Sequence, residues 1–131
     1  MPEQDMVLPH GFENVTSNGR VTGFQLQLRT AYYRGVYLSL VEGFDVTIDG
    51  ETFKREQIRF TVGGKTYALD ELSKLTDQRW PFREVATLTI NKPGGLKVGI
   101  HDVQVIEKLR VPYMPIKPST YLFKQKMPLV V

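Results

Sequence analysis

The sequence predicts an all-β protein: an antiparallel β-sandwich of about eight or nine strands with one short helical turn. Two observations carry that expectation. Apolar and polar residues alternate in short runs along most of the chain, the period of a strand with one buried face. Glycine-bearing turn pairs separate these runs, among them Asn18-Gly19, Asp49-Gly50 and Gly63-Gly64. Such pairs suit two-residue hairpin loops, whose central positions need φ above zero. Strands with one apolar face must meet a second sheet, so a sandwich is the natural closed form and a barrel the alternative.

Taken in order, residues 1–11 read as a loose arm broken by Pro2, Pro9 and Gly11. Phe12 to Val15 begins a strand, and Asn18-Gly19 turns the chain into a second, where Phe24, Leu26 and Leu28 alternate with Gln25, Gln27 and Arg29. After an interruption at 32–35, Val36, Leu38 and Leu40 resume the alternation. Glu42-Gly43 reads as a turn before Phe44, Val46 and Ile48, and Asp49-Gly50 as a hairpin. Ile58, Phe60 and Val62 form the next strand, and Gly63-Gly64 leads to another over 65–69. Asp70 is placed to cap the single helical candidate, 71–75. Trp80-Pro81-Phe82 falls in a loop, Val85 to Ile90 is a β-branched strand, and Lys92-Pro93-Gly94-Gly95 is a turn. A long strand over 99–111 places His101, Val103 and Val105 on one face. Pro112, Pro115 and Pro118 interrupt regular pairing before a last strand over 119–127. The chain thus reads as one domain over 1–131, with an N-terminal arm (1–11) and a proline-rich C-terminal extension (112–131).

Composition narrows the function classes. The 131 residues hold 41% hydrophobic and 24% charged residues, ordinary for a globular protein able to bury a core. The net charge is only +3, and the basic residues are scattered rather than gathered into a stripe, which argues against nucleic acid as a partner. There is no cysteine, so disulfides, thiolate nucleophiles and cysteine metal sites are excluded. The polar opening Met1-Pro2-Glu3-Gln4-Asp5 lacks the charged-then-apolar order of a signal peptide, and no apolar run is long enough to span a membrane. The expectation is a cytoplasmic protein.

Catalytic constellations are weak. His10 lies in the arm. His101 shares a face with two valines and reads as a hydrogen-bonded, partly buried histidine; its neighbour Asp102 points to the other side of the strand. Asp45 and Asp49 share a strand face but stand roughly 13 Å apart, too far to hold one ion. No nucleophile elbow surrounds Ser39 or Ser73, and the lysine–glycine turn at 92–97 lacks the strand–loop–helix setting of a phosphate cradle. No catalytic residue and no metal ligand is assigned to this chain.

Contact chemistry is concentrated instead in residues 29–41. Tyr32, Tyr33, Arg34 and Tyr37 surround Gly35 there, and tyrosine and arginine are over-represented among residues that anchor protein interfaces. Trp80 beside Arg79 is a second candidate, either an interface anchor or a plug at the sandwich end. Tyr113, held between Pro112 and Pro115, is a third. These six residues (Tyr32, Tyr33, Arg34, Tyr37, Trp80 and Tyr113) are the expected partner interface.

Several of these segments carry a family likeness. Val21-Thr22-Gly23-Phe24-Gln25-Leu26, then Tyr32-Tyr33-Arg34-Gly35-Val36-Tyr37-Leu38-Ser39-Leu40, Val46-Thr47-Ile48-Asp49-Gly50, Tyr67-Ala68-Leu69-Asp70-Glu71-Leu72, Arg79-Trp80 and Pro93-Gly94-Gly95-Leu96 occur in that order. The pattern resembles the small beta subunit of bacterial C-glycoside deglycosidases. The resemblance implies a β-sandwich subunit joined to a larger TIM-barrel alpha subunit in a hetero-oligomer. It implies that the metal, a divalent ion such as manganese, and the catalytic base belong to that partner. It also implies cleavage of the carbon–carbon bond between a 3-oxo sugar and an aromatic aglycone. Two other readings compete: a stand-alone carbohydrate-binding β-sandwich using Tyr32, Tyr33 and Trp80 as stacking platforms, and a small enzyme built on His101.

Overall fold

The computed structural model describes residues 6–30, 35–110 and 119–129. Among them the strands are β1 (Glu13–Ser17), β2 (Arg20–Leu28), β3 (Val36–Tyr37), β4 (Val41–Ile48), β5 (Glu51–Thr52), β6 (Ile58–Val62), β7 (Lys65–Ala68), β8 (Arg79–Trp80), β9 (Ala86–Asn91), β10 (Gly99–Leu109) and β11 (Ser119–Leu129). They form a five-stranded sheet in the order β1-β2-β9-β6-β7, a four-stranded sheet in the order β11-β10-β4-β5, and a β3-β8 ribbon. All the pairings are antiparallel. The sheets face each other as a sandwich; the barrel alternative is not adopted.

The alternation seen in the sequence sets the core. Phe24, Leu26 and Leu28 of β2, Leu88 and Ile90 of β9, and Ile58 and Phe60 of β6 are buried on one sheet. Val46 and Ile48 of β4, Val103 and Val105 of β10, and Phe123 and Met127 of β11 are buried on the other. Register aligns these residues in rows: Leu26 and Phe60 both lie opposite Leu88, while Val46 and Phe123 both lie opposite Val105. Asn18 (φ 53) and Gly19 (φ 77), and Asp49 (φ 51) and Gly50 (φ 86), take the left-handed conformations that two-residue hairpins require.

Four local expectations change. Residues 6–8 are no loose arm. Leu8 N–H donates to the Gln27 carbonyl at 2.8 Å, Arg29 N–H donates to the Met6 carbonyl at 2.8 Å, and Met6, Val7 and Leu8 are buried. Glu42-Gly43 is not a turn but part of β4, where the pairing with β10 slips between Lys108 and Leu109. The alternation at 36–40 forms only the two residues of β3 before a 3₁₀ turn at Leu38–Leu40. The expected helical turn is a 3₁₀ segment, Leu69–Lys74, and Glu71 rather than Asp70 caps it. The Glu71 carboxylate accepts the Ala68 N–H at 2.7 Å, while Asp70 pairs with Arg55 at 2.6 Å. At the C-terminal end the expected last strand forms and continues past 127: β11 pairs with β10 along its full length, from Gly99 opposite Leu129 to Leu109 opposite Ser119.

Gly23 marks a tight approach of β2 to β9. A Cβ there would run into the Ile90 carbonyl oxygen. Gly23→Ala therefore forces the two strands apart and is expected to cost about 1–3 kcal/mol, the usual range for overpacking. Urea unfolding reads this as a lower midpoint; an unchanged midpoint would contradict the close β2–β9 approach.

Candidate partner interface

The ribbon decides what the Tyr/Arg-rich region presents. Val36 pairs with Trp80 and Tyr37 with Arg79. Successive side chains on a strand point to opposite faces, so Val36 and Trp80 turn inward together while Tyr37 and Arg79 turn outward. Trp80 has 0% exposure. Its ring lies 5.1 Å from Phe60 and 6.2 Å from Phe44, both edge-on, and its indole N–H donates to the Glu84 carbonyl at 2.8 Å. The expectation of Trp80 as an exposed anchor or sugar-stacking platform is thereby corrected. The ring fills the core, because a large apolar body with a single donor is satisfied there by one carbonyl.

Tyr37 meets the expectation of exposure: it is 42% exposed, with the Arg79 guanidinium carbon 4.6 Å from its ring centroid. Tyr32, Tyr33, Arg34 and Tyr113 lie outside the described residues. Reading the sequence missed Phe82, which is 49% exposed. Arg83 stacks over it at 5.4 Å. The alternating pattern carried no signal for that pair, because residues 81–85 form an irregular turn closed by the Glu84 N–H donating to the Pro81 carbonyl at 3.1 Å.

His101 is built into a clamp. It is 8% exposed. Its Nδ1 lies 2.6 Å from Asp49 Oδ2, and its Nε2 lies 2.6 Å from the Lys97 carbonyl oxygen. Both neighbours are acceptors, and a neutral imidazole has only one N–H. The geometry therefore suits the imidazolium, which donates from both nitrogens. Asp49 completes the clamp by accepting the Asp102 N–H at 2.7 Å. The sequence shows no link between these positions; it arises because β4 and β10 pair with Ile48 opposite Val103. With both ring nitrogens engaged, His101 ties β10 to the hairpin after β4, a hydrogen-bonded and buried histidine as its place beside two valines suggested.

Other polar clusters are internally matched. A groove lined by Ser39, Glu42, Arg55, Asp70, Ser73 and Arg110 contains two cations already paired, Arg55 with Asp70 and Arg110 with Glu42. Asp45 pairs with Lys108 at 2.9 Å on a solvated sheet face. Lys92 pairs with Glu51 at 3.0 Å, and the glycine turn after it closes by the Gly95 N–H donating to the Lys92 carbonyl at 2.8 Å. Among the described residues no three His, Asp or Glu side chains converge to hold a metal ion, and no helix is long and apolar enough to cross a membrane.

The clamp predicts a pH dependence. Burial lowers the His101 pKa, but the hydrogen bonds to Asp49 and Lys97 outweigh it and hold the group above its ordinary value of 6.5. The hydrogen bond from His101 and that from the Asp102 backbone hold Asp49 below its ordinary 3.8. A raised histidine pKa contributes stability that is full below 6.5 and fades as pH climbs through the folded value. The aspartate contribution is present above 3.8 and fades as pH falls through its lowered value. His101→Gln is accordingly expected to flatten the part of the stability profile that falls as pH rises above 6.5. Thermal unfolding across that range checks it; parallel profiles for the two proteins would contradict the clamp.

Comparison with known proteins identifies the family. The family model for the C-glycoside deglycosidase beta subunit matches residues 2–113. A C-glycoside deglycosidase beta subunit from Eubacterium cellulosolvens is 33% identical over 114 residues, covering 86% of this chain and 78% of that protein. A 3'-dehydrocarminate deglycosidase beta subunit from Microbacterium sp is 34% identical over 96 residues, 72% of this chain and 71% of that protein. A C-glycoside deglycosidase beta subunit from Arthrobacter globiformis is 31% identical over 101 residues, 76% of each chain. With most of its length matched, this chain belongs to the C-glycoside deglycosidase beta subunit family.

Proposed function

We propose that this chain is the accessory subunit of a heteromeric, cytoplasmic C-glycoside deglycosidase. In this reading it supports a larger, TIM-barrel alpha subunit that holds a divalent metal, manganese in the first instance, and the catalytic base. The reaction is carbon–carbon bond cleavage in a 3-oxo-C-glycoside. The ketone at C3 acidifies the proton at C2. Removal of that proton by the partner's base, with protonation of the aromatic carbon, permits elimination of the aglycone.

The observation that carries the reading is the family match, joined to an outward face with exposed contact chemistry. The relatives are named as beta subunits, and a subunit requires a partner. The Microbacterium relative is named for a 3'-dehydro substrate, which supports the oxidised-sugar substrate class. His101 spends both nitrogens on the fold, so the general base is assigned to the other subunit. The carbohydrate-binding alternative loses its tryptophan platform, because Trp80 is fully buried.

Co-expression with an alpha subunit encoded nearby tests the proposal. The expected outcome is co-elution on gel filtration and release of aglycone from a 3-oxo-C-glycoside by the pair, with none released by this chain alone. Separate elution of the two chains, or full activity of either one alone, would overturn it.

A further inference from the structure

Resting on the accessory-subunit reading, we propose that the outward face formed by Tyr37, Arg79, Phe82 and Arg83 is where this chain grips its larger subunit, and that it takes an acidic segment of that subunit.

Gly35 brings the ribbon close to the turn: a Cβ at that position would stand 2.9 Å from the Trp80 carbonyl oxygen, 3.0 Å from Arg79 Nη2 and 3.0 Å from the Phe82 backbone nitrogen. The bare glycine leaves room for the Arg79 guanidinium near the start of the turn that carries Phe82. On one side Arg79 covers the Tyr37 ring, and on the other Arg83 covers the Phe82 ring. A guanidinium over an aromatic face is attracted by the ring, and its planar fork of N–H donors matches a carboxylate.

The charge of the face selects the occupant. Ion pairs among the described residues tie Arg55, Lys92, His101, Lys108, Arg110 and Lys126 to carboxylates of this chain. Arg79 and Arg83 pair with no carboxylate among the described residues. Glu84, the acidic neighbour in sequence, sends its Oε2 toward the Gly63 turn instead. A face with two exposed rings and two uncompensated guanidiniums is complementary to carboxylates flanked by apolar surface.

The backbone is committed to this presentation. Arg83 has φ of 72°, a left-handed conformation costly for a residue with a Cβ. The buried Trp80 indole holds that turn through the Glu84 carbonyl. A non-glycine residue kept in such a conformation is a common mark of a functional site. Here the strained turn sets Arg83 over Phe82, which requires a side chain that glycine lacks.

The test uses the co-expressed complex, with dissociation followed by mass photometry over dilution and sodium chloride series. The proposal expects the wild-type complex to weaken as salt rises. It expects Arg79→Glu/Arg83→Glu to dissociate at least tenfold more readily, Arg83→Lys to retain part of the affinity, and Lys124→Glu on a distant sheet face to behave as wild type. Thermal unfolding of each free variant separates lost contact from lost fold, and Phe82→Ser supplies an uncharged second probe. A complex that forms but is indifferent to both Phe82→Ser and the charge reversal overturns the proposal while leaving the accessory-subunit reading intact. Self-association of the free chain abolished by the same variants overturns it in favour of a second copy. Failure of the wild-type pair to assemble overturns the accessory-subunit reading itself.

Discussion

Phe44, Phe60 and Trp80 form the contact on which the architecture turns. Each ring comes from a different sheet: Phe44 from the four-stranded sheet, Phe60 from the five-stranded sheet and Trp80 from the ribbon. Phe44 and Phe60 stack at 5.5 Å with planes 14° apart, and Trp80 closes on both edge-on. Removing a buried tryptophan typically costs about 3–5 kcal/mol, against a total stability of about 5–15 for a small domain. The ribbon has only two residues on each strand, too few to persist through ladder hydrogen bonds alone. Trp80 is what docks it.

That docking links the core to the surface. The same indole that fills the interior donates to the Glu84 carbonyl and so fixes the turn displaying Phe82 and Arg83. The other end of β4 is held by polar means. Asp49, just beyond Ile48, binds His101 and the Asp102 backbone. One strand is thus anchored by apolar packing near Phe44 and by charge-assisted hydrogen bonds at its hairpin. Charge-assisted bonds of this kind are stronger than neutral ones but depend on protonation, so pH acts on the hairpin end and leaves the aromatic contact alone.

Much of the sheet structure is legible in the sequence because period-two alternation and glycine turns are local signals. Phe24-Gln25-Leu26 and Asp49-Gly50 each state their own geometry. The departures arise where distant partners decide. Gly43 reads as a turn in isolation, yet β10 captures it into β4 at a slip in register. Asp70 looks like a cap, but Arg55 occupies it and Glu71 takes the role. Trp80 has the composition of a surface anchor, and only its pairing with Val36 turns it inward. Among the described residues expected at the interface, Tyr37 is legible as exposed, because it alternates with the buried Val36 and Leu38. Phe82 and Arg83 were hidden, because a turn residue with φ of 72° follows no periodic rule.

The account makes the Trp80-docked ribbon and its turn the surface offered to a larger subunit. Hydrogen exchange measured on this chain alone and in the co-expressed complex tests that claim most directly. Backbone amides at 35–37 and 79–85 should gain protection on assembly, with little change at the histidine clamp, 97–102. Protection confined to the β11 edge or to the clamp, with the ribbon exchanging as it does in the free chain, would contradict it.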